Sequence, residues 1–173
     1  EAIAEVGLLD DDAILLGDAA LLLAALDHPD VDLTPYFEIV AAMTARIAAI
    51  DDSISGAAEQ ASALGAVIGM EYGFTGDTQT YDDPANADLI RVIDRRRGLP
   101  VALAVIYIAV ARGAGWATDA LNTPAHVLLH VGRAPAVIVD PFAGGTVVEP
   151  GAIGTLLARA GGMKRPPRID SFE

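Results

Sequence analysis

Asp94-Arg95-Arg96-Arg97-Gly98-Leu99-Pro100-Val101-Ala102-Leu103-Ala104 decides how this chain is read, together with Pro124-Ala125-His126 and Asp140-Pro141-Phe142 downstream. The first stretch passes from a basic run through glycine to a proline. A proline, with its fixed φ and missing N–H, suits the first position of a helix. Residues 101–110 are apolar on every side, which predicts a helix buried centrally and stopped by Gly113 and Gly115.

After Trp116 the period becomes two. His126, Leu128 and His130 alternate with Val127, Leu129 and Val131, as on a strand. Gly132-Arg133-Ala134-Pro135 turns the chain, and residues 136–140 return as a second strand. If the turn is centred on Arg133, position 126 faces 140. His126 and Asp140 are then direct cross-strand neighbours, with Cβ atoms roughly 4.5–5.5 Å apart. An aspartate there can hold an imidazole in one tautomer, as the orienting acid of a triad does. It can equally form a hydrogen bond that only stiffens a hairpin. A helix start, a histidine strand and an aspartate strand follow the order of a cysteine–histidine–aspartate hydrolase or acyltransferase, yet the chain has no cysteine.

Working outward, the front third reads as helical. Residues 10–12 place carboxylates before a helix at 13–26. Thr34-Pro35 starts a second helix, with a hydroxyl cap and a stripe of Phe37, Val40, Ala41, Thr44, Ile47 and Ala48. A third, after Ser55, buries Ala57, Ala61, Leu64 and Ile68. These form a small helical bundle. Residues 71–83 read as an ordered loop, and Asp83-Pro84 opens a helix through Arg95, with Leu89, Val92 and Ile93 inward and Gly98 ending it. A third strand is expected at 146–148, a short helix near 153–159 and an irregular stretch at 164–168. The expected fold class is α+β. Residues 1–70 form a helical N-terminal region, 71–160 a core and 161–173 an irregular tail.

Composition narrows the function classes. At 173 residues, 53% hydrophobic and 20% charged, the chain can bury a real core and is not disordered. No apolar run reaches the roughly 18 residues of a membrane-spanning helix, and no basic secretory head precedes the first helix, so a cytoplasmic protein is expected. Without cysteine there is no disulfide, thiolate metal site or iron–sulfur cluster. The net charge of −13 is unevenly placed: residues 1–70 hold thirteen acids against Arg46 alone, and residues 71–173 hold eleven acids against ten bases. An acidic front half repels phosphate backbones, which argues against general nucleic-acid binding. It reads as a solvated face or as a docking surface for a basic partner.

Tyr72-Gly73-Phe74-Thr75-Gly76, Tyr81-Asp82-Asp83-Pro84, Asn86, Arg95-Arg96-Arg97-Gly98-Leu99-Pro100, Pro124-x-His126 and Asp140-Pro141-Phe142-x-Gly144-Gly145 carry a resemblance in their order and spacing. The chain resembles the SirB-type branch of the transglutaminase-like superfamily, closely over 70–148 and loosely before. The resemblance implies a helical N-terminal region packed on a core related to papain-like cysteine enzymes, with a central helix across a small antiparallel sheet. In catalytic relatives the cysteine stands at the start of that helix. Here the window is 98–104, Pro100 matches the thiol position, and the branch itself commonly has proline there. His126 and Asp140 match the other two triad positions. Ala125 stands where the branch usually has glycine.

Other nucleophiles are scarce. Between 98 and 117 there is no serine, threonine, cysteine or lysine, and Tyr107 lies two turns into the helix. Thr118, Thr123 and Thr146 do not sit at a helix start. His126 and His130 share a strand face but lie about 13 Å apart by rise, too far for one metal. His28, in a Pro/Asp turn, reads as a surface histidine. Arg95, Arg96 and Arg97 are the dense basic cluster. One of them is expected to pair internally with Asp82, Asp83 or Asp94, and as a group they are the candidate partner- or ligand-binding residues. Phe74, Tyr81, Trp116 and Phe142 read as core or loop anchors.

The function expected from these readings is a catalytically inactive transglutaminase-like domain, a pseudoenzyme with Pro100, His126 and Asp140 as vestigial triad positions. It would act as a protein-interaction or regulatory module with a protein partner, and with no cofactor, metal, nucleic acid or membrane. A hydrolase that uses His126 and Asp140 to activate water is the alternative. A purely structural assembly module is a third.

Overall fold

The computed structural model describes residues 2–10, 13–50, 54, 56–123, 126–149 and 151–154. Helices α1 (Ala2–Val6), α2 (Leu16–Ala24), α3 (Thr34–Ala48) and α4 (Ala57–Leu64) come first. Strand β1 (Thr75–Gly76), helix α5 (Leu89–Arg95), strand β2 (Arg97–Gly98) and helix α6 (Pro100–Gly113) follow. Strands β3 (Thr118–Thr123), β4 (His126–Val131), β5 (Val137–Asp140) and β6 (Thr146–Val147) complete the described elements. The fold is mixed helix and sheet.

Helix α6 begins where the sequence predicts, with Pro100 at its first position and Leu99 before it. Leu103, Ala104, Ile106, Tyr107, Val110 and Ala111 are buried, and the helix packs against α2 and α3 as well as β3 and β4. Val101 is the exception on this apolar segment, at 53% exposed. The main sheet has four antiparallel strands in the order β3-β4-β5-β6, and β1 and β2 form a separate parallel pair.

Several boundaries differ from expectation for local reasons. Helix α2 starts at Leu16 with no side-chain cap, so 13–15 lie outside it. The N-cap of helix α3 is Leu33, with no side-chain cap, and Thr34 is already the first helical residue; Asp32 Oδ1, one residue earlier, accepts from the Thr34 N–H at 2.9 Å. The buried residues of α3 are Met43 and Ile47, and Ala41 and Ala48 are exposed. The predicted stripe holds at Ile47 and at Phe37 and Val40, which pack on the core, and fails at Ala41 and Ala48; Phe37, Val40 and Thr44 also border a hollow of about 650 Å³ against α2 and α6. Helix α4 buries Ala61 and Leu64 as expected and runs on through a wider π-type turn over Gly65–Glu71, where Ile68 is buried. The Tyr72 N–H closes that turn on the Val67 carbonyl, five residues back.

The expected helix from Asp83 to Arg95 is two pieces. Asp83 caps a 3-10 turn, Pro84–Asn86, and Asp88 caps α5 by accepting from the Ile90 and Arg91 N–H groups. Arg96, in the left-handed region at φ 56°, ends α5 two residues before Gly98. Strand β3 was not foreseen, because Thr118-Asp119-Ala120-Leu121-Asn122-Thr123 carries no strong apolar alternation. Tertiary pairing with β4 makes it a strand. Residues 151–154 are helical, whereas the remainder of the expected helix, Ala125 and the stretch 164–168 fall outside the described residues. Among the described residues no helix is long and apolar enough to cross a membrane.

Candidate functional site

The hairpin carrying His126 and Asp140 forms, but in a different register. Leu129 pairs with Val139, His130 with Ile138 and Val131 with Val137, so the turn is centred on Ala134 and not on Arg133. The direct cross-strand arrangement of 126 with 140 is thereby corrected. Moving the centre by one residue shifts the register by two, which preserves the face. Asp140 becomes a diagonal neighbour of His126, and diagonal pairs remain within reach of long side chains. His126 Nε2 lies 3.0 Å from Asp140 Oδ2, with the two side chains 15% and 8% exposed. The N–H direction does not meet the carboxylate, so buried Nε2 has no aligned hydrogen-bond partner.

Asp140 is fixed by the chain that follows it. Its Oδ1 accepts from the Phe142 N–H at 2.9 Å and the Ala143 N–H at 3.2 Å, and its carbonyl accepts from the Gly145 N–H at 2.9 Å. This tight turn needs positive φ at Gly144 (69°) and Gly145 (81°), where side chains are disfavoured. The turn also lies directly on the π-type segment. A Cβ at Gly69 would stand 2.0 Å from the Gly144 carbonyl oxygen, and one at Gly65 2.7 Å from that of Gly145. Glycines at 65 and 69 thus let the Asp140 turn settle against the helix.

Around the histidine is a groove of about 230 Å³ lined by Tyr81, Leu99, Pro100, Val101, Thr123, His126 and Val127. Pro100 and His126 therefore face the same space, while Asp140 lies behind the imidazole. Phe142 packs edge-on against both His126 and Tyr81, with ring centroids 6.1 and 6.0 Å apart. The Thr123 hydroxyl donates to the His126 carbonyl at 2.8 Å and is committed to the backbone. Chemically, the groove presents an imidazole with a carboxylate close behind it and the ring of Pro100, the first residue of α6, across from it.

The arginine triplet diverges. Arg95 NH2 meets Asp77 Oδ2 at 3.0 Å and its NH1 lies 3.7 Å from Asp83 Oδ2, so the expected internal pairing includes Asp83 but rests mainly on Asp77. Arg96 lies over the Phe74 ring, 4.6 Å from its centroid, where burial pulls its pKa down against the opposing effect of Asp94 and Tyr72. Arg97 is exposed and donates to the carbonyls of Gly73 and Arg96. Arg95 and Arg97 border a polar hollow of about 760 Å³, and Arg96 does not.

Sequence reasoning missed the centre of this region. Asp77 is buried, and its carboxylate accepts from the Thr80 hydroxyl and N–H, the Gln79 N–H and Arg95. The Thr80 hydroxyl first, then the Thr80 N–H, hold it well below the usual carboxylate range against the opposing effect of burial. The signal was Asp77-x-x-Thr80, a short loop in which an aspartate can collect nearby N–H groups. Fully buried Asn86 ties the same loop to the site: its side-chain amide donates to the Thr80 and Tyr81 carbonyls, while its backbone carbonyl accepts from the Leu99 N–H. Tyr107 is also buried, with its hydroxyl unpartnered. Burial, then the Asp140 carboxylate, push its pKa well above the ordinary 10.

His28 is not a surface histidine. Its Nε2 pairs with Asp88 at 2.5 Å, both side chains under a fifth exposed, and joins the α2–α3 connection to the cap of α5. Phe74 and Trp116 are core residues as expected, and Tyr81 is 45% exposed beside the groove. Among the described residues no group of three or more histidine or acidic side chains is arranged to hold a metal ion.

A sequence profile described as "Transglutaminase-like superfamily" matches residues 36–171. The chain is 33% identical to a UPF0162 protein of Xylella fastidiosa strain Temecula1 over 142 residues, 82% of this chain and 50% of that protein. It is 31% identical to a UPF0162 protein of Vibrio cholerae over 83 residues, 46% of this chain and 30% of that protein. Mouse F-box only protein 21 shares 31% identity over 67 residues, 39% of this chain and 11% of that protein. The chain spans about half the length of the Xylella relative. No solved structure matches.

Proposed function

Since this chain belongs to the transglutaminase-like superfamily, we propose that it is a catalytically inactive, SirB-type member that acts as a protein-interaction or regulatory module. The observation that carries the reading is Pro100. It is buried at the first position of α6 and lines the same groove as His126. A proline offers no group that can attack, and the hydroxyl of Thr123, which lines the same groove, is spent on a backbone carbonyl. The helices α2 and α3 against α6 support the finer view of an N-terminal helical region packed on a papain-like core. Arg95 and Arg97 remain proposed contact residues on their own hollow.

A second reading, a hydrolase that activates water, is favoured by the 3.0 Å approach of His126 to Asp140 beside an open groove. The two are separated by turnover. The module reading expects no hydrolysis of activated esters and no transamidation of glutamine substrates above the level of His126→Ala. Turnover that vanishes in His126→Ala would replace it with the hydrolase reading.

A further inference from the structure

Strand β3 has a neighbour on one side only. The Ala117 carbonyl just before it accepts from the Gly132 N–H at 2.8 Å, and the register with β4 then runs unbroken from Thr118 to Thr123. Antiparallel pairs alternate between hydrogen-bonded and non-hydrogen-bonded. Asp119, Leu121 and Thr123 therefore spend their N–H and carbonyl groups on β4, while those of Thr118, Ala120 and Asn122 point away from the sheet. The side chain of Arg112 fixes the same phase, since its Nε donates to the outward Thr118 carbonyl at 2.9 Å. Among the described residues no strand reaches Ala120 or Asn122 from that side, and no other backbone group bonds to either.

Proteins usually blunt such an edge with a very short strand, a proline, a bulge or a lysine. The opposite edge follows that rule, because β6 is two residues long. Strand β3 does not. It has six residues, no proline or lysine and no break in register. Its one charge, Asp119, is tied to Arg112 at 2.7 Å, so charge does not select the occupant. What Ala120 and Asn122 lack is backbone partners, and an extended chain supplies a donor and an acceptor at that two-residue spacing.

The open stretch, residues 120–122, is about 10 Å long. That is short for two folded copies, whose stable contact buries about 1,000 Å² or more, and whose net charges of −13 repel each other. It suits a single strand from a partner. We propose that β3 receives an extended, uncharged segment of a partner protein as an added strand, paired through the backbone of Ala120 and Asn122. The proposal rests on the module reading above and names how that partner is held. The added strand lies along β3 toward Thr123, whose side chain already lines the His126 groove.

The test begins with amide hydrogen exchange of the full chain. Without a partner, the Ala120 amide should exchange at least about tenfold faster than that of Leu121, which is bonded to β4. The probe is a short fluorescein-labelled peptide of alternating threonine and valine, titrated by anisotropy. At ten times its Kd it should slow exchange at Ala120 and Asn122 about tenfold. Ala120→Pro removes an outward N–H, which an edge strand tolerates, and should weaken binding at least about tenfold. Ala120→Thr keeps that N–H and should leave binding within about twofold. The same peptide with every backbone nitrogen methylated should not bind, a result that does not depend on how well Ala120→Pro folds.

Slow exchange at Ala120 in the free chain would mean that the edge is already covered and would overturn the proposal. So would equal binding of the methylated peptide, no binding of the unmethylated one, or a wild-type dimer that Ala120→Pro dissociates. Failure here leaves the turnover test of the module reading untouched, and turnover that depends on His126 would remove that reading without altering exchange at Ala120.

Discussion

Replacing Pro100 by cysteine puts a thiol at the position we propose as the nucleophile position of the superfamily frame, and the structure bounds each consequence. Pro100 is the first residue of α6, and a helix leaves its first N–H groups without partners in the helix. The N–H that cysteine adds is therefore one the helix never used. The cost is the lost stiffening of the unfolded chain, about 0.4–1 kcal/mol. For a domain of this size that lowers Tm by roughly 1–4 °C. The thiol then stands at the positive end of a 14-residue helix and shares a groove with His126. Both features favour the thiolate.

If they bring the thiol pKa from about 8.5 to about 7, the thiolate fraction at pH 6 rises about thirtyfold. The more acidic thiolate is about fivefold less nucleophilic, so a net gain of about sixfold in alkylation rate is expected. The native chain has no cysteine, so iodoacetamide reports on this thiol alone. Met70→Cys, at a site 83% exposed, sets the reference rate. Pro100→Cys should exceed it at pH 6, and adding His126→Ala should remove much of the excess. A thiol that reacts no faster than the reference, or is indifferent to His126→Ala, would show that Pro100 is not the nucleophile position. The match between this chain and the catalytic frame would then have to be redrawn.

Two further outcomes test the scaffold. Gly69→Ala should destabilise the fold despite the better helix propensity of alanine, because its Cβ would lie 2.0 Å from the Gly144 carbonyl oxygen. An overpacking cost of about 1–3 kcal/mol exceeds a propensity gain of about 1, so thermal melting should show a lower Tm; an unchanged Tm would mean the Asp140 turn yields freely. Asp77 has its folded pKa held below the usual value of 3.8, so its contribution is present above that value and is lost as pH falls below it. Melting followed against pH should therefore show Asp77→Asn less stable than wild type at neutral pH, with the gap narrowing below about pH 4. A gap that does not change with pH would argue that Asp77 acts through shape alone.

The parts legible in the sequence are those where one local rule dominates. Pro100 followed by an uninterrupted apolar run gives α6, and alternation gives β4, because neither depends on a distant partner. The His126–Asp140 pairing survived an error in the turn for a geometric reason. The error moved the register by two residues, and a strand repeats its faces every two. An error of one residue in register would have put the two side chains on opposite faces. What was not legible depends on contacts far apart in the chain. Strand β3 exists because β4 pairs with it, and His28 is held by a carboxylate 60 residues away. Arg95 shows the same limit in miniature. Nearby aspartates at 82, 83 and 94 were the obvious partners, but the parallel pairing of Thr75 with Arg97 and Gly76 with Gly98 brings Asp77 alongside the start of the triplet. A two-residue strand pair has almost no sequence signature, yet here it decides which carboxylate neutralises the arginine. It also joins the Asp77 loop to the start of α6, since the Asp77 N–H donates to the Gly98 carbonyl two residues before Pro100. The position of the groove is therefore set by short backbone pairings and close glycine contacts, and its chemistry by side chains that the sequence displays openly.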